Sequence, residues 1–200
     1  MEHSSPLREW DDVAAGWDDE PAVRRYAGAA HGSLGGLAAD LGVELSGRAL
    51  DFGCGTGLLT EHLVETYDAV VAIDVSERML DVLRAKAADR GWANVHLHTD
   101  LRTAQGPYEL IVASSVLGFV DDHPATVRSL AQRLSPGGLL VHWDWDADPR
   151  SDDPHGLHRP DVEAALRDAA LTDVGVGTGF TLDVEGHSMA PLMGWGRRGG

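Results

Sequence analysis

One cysteine, Cys54, and one lysine, Lys86, are all that this 200-residue chain has of either. A lone thiol excludes an internal disulfide and a thiolate cluster for metal. Set between Gly53 and Gly55, Cys54 reads as a small packed side chain rather than a nucleophile. Long apolar runs are missing too. No stretch approaches the roughly 18–20 residues of a membrane span, and the opening Met-Glu-His-Ser-Ser-Pro has no basic-then-apolar signal pattern. The expectation is a soluble, cytoplasmic protein. Positive charge is also scarce, with 16 Lys and Arg against 32 Asp and Glu and a formal net charge of −16. Such a surface repels phosphate backbones, so neither nucleic acid nor an anionic membrane is an expected partner. A monomer or homodimer acting on a small-molecule substrate is.

What is present is an alternation of strand-like and helix-like segments in a chain that is 43% hydrophobic, enough for one core. The strands read as 48–52, 70–74, 94–99, 110–113 and 139–143, with a Ser135-Pro136-Gly137-Gly138 turn before the last. Helices are expected over 58–66, after an N-cap at Ser76 and up to Gly91, from Pro124 to Leu134, and over 161–170. Two further strands, 174–184 and 188–197, flank Glu185-Gly186 as a hairpin. The fold class is α/β: a single-domain, doubly wound, mostly parallel sheet. The polar stretch 144–160, rich in Asp, Pro and His, is the longest loop, and long loops in compact domains are often functional.

The densest signal is Ala49-Leu50-Asp51-Phe52-Gly53-Cys54-Gly55-Thr56-Gly57, followed by the apolar run Val70-Val71-Ala72-Ile73 and Asp74. A strand ending in alternate glycines and opening a helix lets backbone amides approach a ligand with no Cβ in the way. The dinucleotide pattern Gly-x-Gly-x-x-Gly is not met, because Leu58 holds the place of its last glycine. Residues 51–57 instead resemble the glycine-rich motif of the class I S-adenosylmethionine-dependent methyltransferases of small-molecule type. Asp74 follows Gly57 by seventeen residues, where that family places the acid that holds both ribose hydroxyls. A carboxylate only accepts hydrogen bonds and suits two hydroxyl donors.

The resemblance covers residues 48–198 continuously, with a looser match at Trp10–Asp18 to the family's aromatic-Asp opening. It implies a domain spanning 1–200, with a helical lid at 1–45 over a Rossmann-like core at 46–198. The implied sheet has seven strands, one of them an antiparallel strand from the C-terminal hairpin. It further implies S-adenosylmethionine as cofactor, with S-adenosylhomocysteine as product, and a cofactor site made of Asp51, Gly53, Cys54, Gly55, Thr56, Gly57, Asp74, Val75, Met79, Asp100, Leu101 and Ser115. Asp100 stands where the family has an acceptor for the adenine amino group, with Leu101 and Met79 on the ring faces. Ser114–Val120 resembles the family's Ser-Gly-Val-Leu-His-His-Leu segment, with Gly118 and Phe119 in place of the two histidines. Trp10, Trp17, Tyr26, Phe119, Trp143 and Trp145 are expected around the acceptor, where aromatic faces also suit a sulfonium.

Methyl transfer from a sulfonium is an in-line displacement governed by alignment and exclusion of water. A hydroxyl acceptor of high pKa wants a base, for which His155, His158 and Asp144 are the catalytic candidates. His142 in the fifth strand reads as core. Zinc held by His155, His158 and Asp152 or Asp153 lacks the spacing of a closed ligand set, so no metal is expected. The Asp/Asn-Pro-Pro-aromatic run of nucleic-acid amino methylases is absent at 114–117, which with the acidic charge favours a small organic acceptor. The alternative reading is a member of this fold that binds the cofactor but has turned to other chemistry or to a non-catalytic partner role. A nicotinamide-dependent reductase is set aside by Leu58.

Overall fold

The computed structural model describes residues 6–147, 155–184 and 186–200. Its main sheet is built from β1 (Arg48–Phe52), β2 (Ala69–Ile73), β3 (Val95–His98), β4 (Tyr108–Ser114), β5 (Leu134–Asp144), β6 (Leu171–Thr178) and β9 (Leu192–Arg198). Their order is β3-β2-β1-β4-β5-β9-β6. Only β9 runs against the direction of the other six strands, pairing Trp143 with Met193 on one side and Gly177 with Met193 on the other. The order reverses between β1 and β4, and the crevice at the carboxyl ends of strands at such a switch point is the usual ligand position in open α/β sheets. Between strands lie α3 (Thr60–Leu63), α4 (Glu77–Arg90), α5 (His123–Ala131) and α6 (Arg159–Asp168).

Both faces of the sheet are covered, so the central strands are apolar at every position rather than at alternate ones. Leu50, Ile111 and Leu140 face one way, into a cluster with Val127 and Leu130 of α5 and Val162 and Leu166 of α6. Ala49, Leu110, Val112, Leu139 and Val141 face the other, against α2 (Pro21–Leu41) and α3. Helix α2 starts at Pro21 and stops at Gly42 in left-handed backbone, and Tyr26, Ala30, Leu34 and Leu37 bury its sheet-facing side. Its glycines Gly28, Gly32, Gly35 and Gly36 are poor helix formers, so packing rather than propensity holds this helix.

Several boundaries differ from the expected ones for physical reasons. Residues 134–138 belong to β5: Tyr108 pairs with Leu134 and Leu110 with Leu139, so the Ser-Pro-Gly-Gly segment is a bulge inside the strand. The expected 58–66 helix shrinks to one turn, α3, since residues 53–59 are spent on the glycine turns. The expected two-stranded hairpin is four strands. Strands β6 and β9 continue the main sheet, while β7 (Leu182–Val184) and β8 (His187–Met189) pair with each other alone.

The cap at Ser76 is formed as expected: its hydroxyl accepts from the Met79 amide at 3.1 Å, and Gly91 ends α4 in left-handed backbone. The N-terminal α1 (Pro6–Val13) and the 3-10 turn 14–19 are tied to this region by polar contacts. Asp11 accepts from the Ser76 hydroxyl at 2.6 Å and Asp18 from the Thr56 hydroxyl at 2.6 Å. Lys86, the single lysine, bridges Asp18 at 2.7 Å and Glu61 at 2.8 Å.

Gly57 shows how tightly this corner is packed. Its φ is +84°, and a Cβ there would run into the Leu83 side chain of α4. Gly57→Ala combines a backbone conformation that costs ~1–3 kcal/mol with overpacking. The melting temperature followed by circular dichroism is expected to fall by roughly 2–4 °C for each kcal/mol lost in a chain of this size; an unchanged value contradicts the packing role.

Candidate functional site

A cavity of about 1100 Å³ opens at the carboxyl ends of β1, β2 and β4. Its floor is the glycine turn. Gly53 has φ +71°, and a Cβ there would overlap Val116, so the chain can pass beneath the β4 exit only as glycine. The Gly53 and Cys54 amides donate to the Ile73 carbonyl at 2.8 and 2.9 Å. Asp74 then ties the two strand ends together: its carboxylate accepts from the Gly55 amide at 2.8 Å and from the Ser76 amide at 2.9 Å. A carboxylate has about four acceptor sites, so Asp74 keeps capacity toward the cavity it lines. Asp51, at the end of β1, accepts from the Thr60 hydroxyl at 2.6 Å.

One wall carries Val75, Met79, Thr99, Asp100 and Leu101. Asp100 is already engaged by Arg102, whose backbone amide and Nε reach its carboxylate at 2.8 Å each. Those contacts hold the Asp100 carboxyl below its ordinary range. Opposite lies the N-terminal segment. Trp10 packs edge-on against Trp17 at 6.0 Å and against Phe119 at 5.4 Å, so α1 touches the β4 exit directly. Tyr26 of α2 meets Trp145 at 5.8 Å and Phe180 at 4.9 Å. Its hydroxyl is buried near the Ser114 and Ser115 side chains. Burial pushes that phenol well above its ordinary range, the Ser115 and Ser114 hydroxyls pull the other way, and the Asp144 charge adds to the rise. Ser115 sits at φ +54°, a left-handed conformation that a non-glycine residue pays for and that is typical of functional sites.

Of the expected cofactor residues, all but Gly57 line this cavity, and of the expected acceptor residues all but Trp143. Gly57 is turned into the α3–α4 packing instead. Trp143 is fully buried on the α2 face of β5, where its indole N–H donates to the Ser33 hydroxyl at 2.9 Å. Trp145, two residues further and past the strand end, keeps the same side but reaches the cavity. The three general-base candidates do not line it. Strand alternation turns Asp144 to the opposite face from Trp143, where it holds buried His142 Nδ1 at 2.8 Å and accepts from the Gly118 amide at 3.2 Å. His142 is core, as expected. His155 lies behind Phe119, stacked on its ring at 4.2 Å, with Nδ1 3.2 Å from the Gly118 carbonyl oxygen. His158 precedes α6 and lines a separate, smaller hollow with His123 and Asp161. Asp152 and Asp153 lie outside the described residues.

Sequence reasoning missed the contributions of α5 and the hairpin. Ala125, Thr126 and Ser129 line the cavity, as does Met189 of β8. The signal was present in α5: small and polar residues at 125, 126 and 129 share the side away from the buried Val127 and Leu130. Met189 offered none, because its position depends on how far the hairpin reaches.

Asp51 is the most strongly perturbed acid of the site. Burial pushes its carboxyl up to about 7, the Thr60 hydroxyl counteracts, and the neighbouring Asp74 charge adds to the rise. A carboxyl raised in the folded state favours folding most when protonated. Its contribution is therefore fully present below the unfolded value of about 3.9 and is lost as pH climbs through about 7. Asp51→Asn keeps an acceptor for Thr60 without the charge. It is expected to melt at least ~3 °C above the parent at pH 8 and to converge with it toward pH 4. A gap independent of pH in differential scanning calorimetry contradicts the assignment.

Comparison with known proteins places this geometry in a family. Residues 26–182 match the methyltransferase domain family. Over 142 residues the chain is 29% identical to a ubiquinone biosynthesis O-methyltransferase of Caulobacter vibrioides, covering 68% of this chain and 52% of that protein. It is 28% identical over 149 residues to a trans-aconitate 2-methyltransferase of Deinococcus radiodurans, covering 73% and 52%. The chain thus spans about half the length of the curated relatives it matches. Among solved structures, DhpI in complex with SAM and HEP superposes with a TM-score of 0.71 at 21% identity, over 98% of this chain and 99% of that one. With the seven-stranded order, the glycine turn and a family match over most of its length, the chain belongs to the class I S-adenosylmethionine-dependent methyltransferases.

Proposed function

We propose that this chain moves the methyl group of S-adenosylmethionine to a small organic acceptor by in-line displacement. The observation that carries the reading is Asp74, which braces the glycine turn through Gly55 and still faces a cavity of about 1100 Å³. Single-ligand pockets run to about 300–1000 Å³, so this volume suits a cofactor and an acceptor side by side. Relatives named for O-methylation in ubiquinone biosynthesis and for methylation of trans-aconitate support a small acceptor.

In this reading Asp74 takes the ribose hydroxyls and Asp100 the adenine amino group, with Leu101 and Met79 against the ring. Gly53, Cys54, Gly55 and Thr56 bring the floor close to the methionine portion, with Asp51 and Ser115 beside it. The bound cofactor supplies an electrophilic methyl group and a neutral leaving group. The protein's part is to align the acceptor and keep water out. Residues 1–45 act as a lid over the 46–198 core, latched by the Asp18–Lys86, Asp18–Thr56 and Asp11–Ser76 contacts. The whole works as one domain.

Asp74→Ala is expected to weaken S-adenosylhomocysteine binding by ~1–3 kcal/mol, the cost of leaving buried polar groups unpaired. Isothermal titration calorimetry on parent and variant checks it, with the circular dichroism spectrum confirming that the variant folds. Unchanged affinity in a folded variant removes the ribose role from Asp74.

A further inference from the structure

Past Ser114 the backbone ladder between β4 and β5 runs out. Its last rung is the Ser115 amide, which donates to the Trp143 carbonyl at 2.7 Å, and the turn 116–120 then leaves the sheet. A side chain takes over from the ladder there. Asp144, only 2% exposed, accepts from the Gly118 amide at 3.2 Å through one carboxylate oxygen, while His142 Nδ1 holds the other at 2.8 Å. The next peptide group of the turn is held from the opposite side, where His155 Nδ1 lies 3.2 Å from the Gly118 carbonyl oxygen. His155 is itself fixed to the end of β5, since the Leu157 amide donates to the Trp145 carbonyl at 2.8 Å and the Ala147 amide to the Leu157 carbonyl at 2.9 Å. A Cβ at Gly118 would run into the His155 carbonyl oxygen, so the fit on this side is close. What these contacts hold in place is Phe119. Leu117, fully buried, roots the turn in the core, and Phe119 stacks on the His155 ring at 4.2 Å and meets Trp10 edge-on at 5.4 Å. Phe119, Trp10 and its neighbour Trp17 all line the cavity.

Resting on the methyltransferase reading above, we infer that Asp144 is a positioning residue for methyl transfer: through the Gly118 amide it sets Phe119, and through Phe119 it sets where Trp10 and the N-terminal segment close over the bound cofactor. Asp144 stands off the cavity wall and acts only through its neighbours. Its contribution is to alignment and to the exclusion of water, on which an in-line displacement depends. Edge-to-face ring contacts hold only in a narrow range of geometry, so the closure over the cofactor is as well defined as the turn beneath it. The chemistry separates two substitutions. Asparagine keeps the arrangement, because its carbonyl oxygen accepts from the Gly118 amide and its amide group donates to His142 Nδ1 once the ring proton moves to Nε2. Alanine removes the acceptor and leaves the Gly118 amide unpaired.

The test labels the whole chain with 5-fluorotryptophan and follows the fluorine resonances, assigned by single Trp→Phe substitutions, in the presence of saturating S-adenosylhomocysteine. Trp92, which follows α4 and lies under Arg90, serves as the internal control. Asp144→Ala is expected to displace the Trp10 resonance and leave that of Trp92 in place, and Asp144→Asn to return Trp10 to its parent position. Calorimetry is expected to show the Kd of S-adenosylhomocysteine raised roughly threefold or more by Asp144→Ala, the worth of an aromatic edge contact, and close to the parent in Asp144→Asn. Gly118→Ala presses the same turn against His155 without touching the His142–Asp144 pair, so it too is expected to displace Trp10, and it decides the matter if Asp144→Ala does not fold. A Trp10 resonance or a Kd left unmoved by the folded variant, equal displacement of Trp92, or an Asp144→Asn chain that behaves like Asp144→Ala overturns the inference. Failure of S-adenosylhomocysteine to bind the parent would instead overturn the methyltransferase reading.

Discussion

The site depends on one carboxylate bridging two strand ends. The glycine turn after β1 has no side chains with which to hold its own shape, and three left-handed residues in five leave it conformationally expensive. Asp74 offsets this by accepting from the Gly55 amide within the turn and from the Ser76 amide that opens α4. Because β1 and β2 are in parallel register, with Phe52 opposite Ile73, the carboxylate arrives level with the turn. The same contacts leave the acid half-buried, and desolvation raises its carboxyl above the ordinary range against the pull of the two amides.

A second constraint decides which residues meet the ligand. Strand β5 alternates between two covered faces, so His142 and Asp144 go to α5 and α6 while Trp143 goes to α2. The alternation ends with the strand, and Trp145 is released into the cavity. The His142–Asp144 pair works at one remove: by accepting from the Gly118 amide, Asp144 holds the loop whose Phe119 contacts Trp10 on one side and His155 on the other. The aromatic wall of the cavity is therefore set by the core beneath it as well as by the residues that face it.

Most of the sheet could be read from the chain because its strands are short apolar runs bounded by glycine or acid, as with 48–52, which matches β1 at both ends. The glycine turn and Asp74 were legible for the same reason, since their spacing reflects a geometry that few backbones satisfy. What escaped depends on distant packing. Residues 134–138 look like a turn until Tyr108 and Leu134 are paired across the bulge. Trp143 looks like a pocket residue until Ser33 of α2 is seen under its indole nitrogen. The latch residues Asp11, Asp18 and Lys86 carry no local pattern, because their partners lie 38 to 68 positions away along the chain.

The central claim, that the cavity beneath the N-terminal segment takes S-adenosylmethionine, is tested most directly by titrating the parent chain in a calorimeter with S-adenosylhomocysteine and, separately, with NADH. The account predicts saturable one-to-one binding of the first and no measurable heat from the second. Binding of NADH without binding of S-adenosylhomocysteine would contradict it.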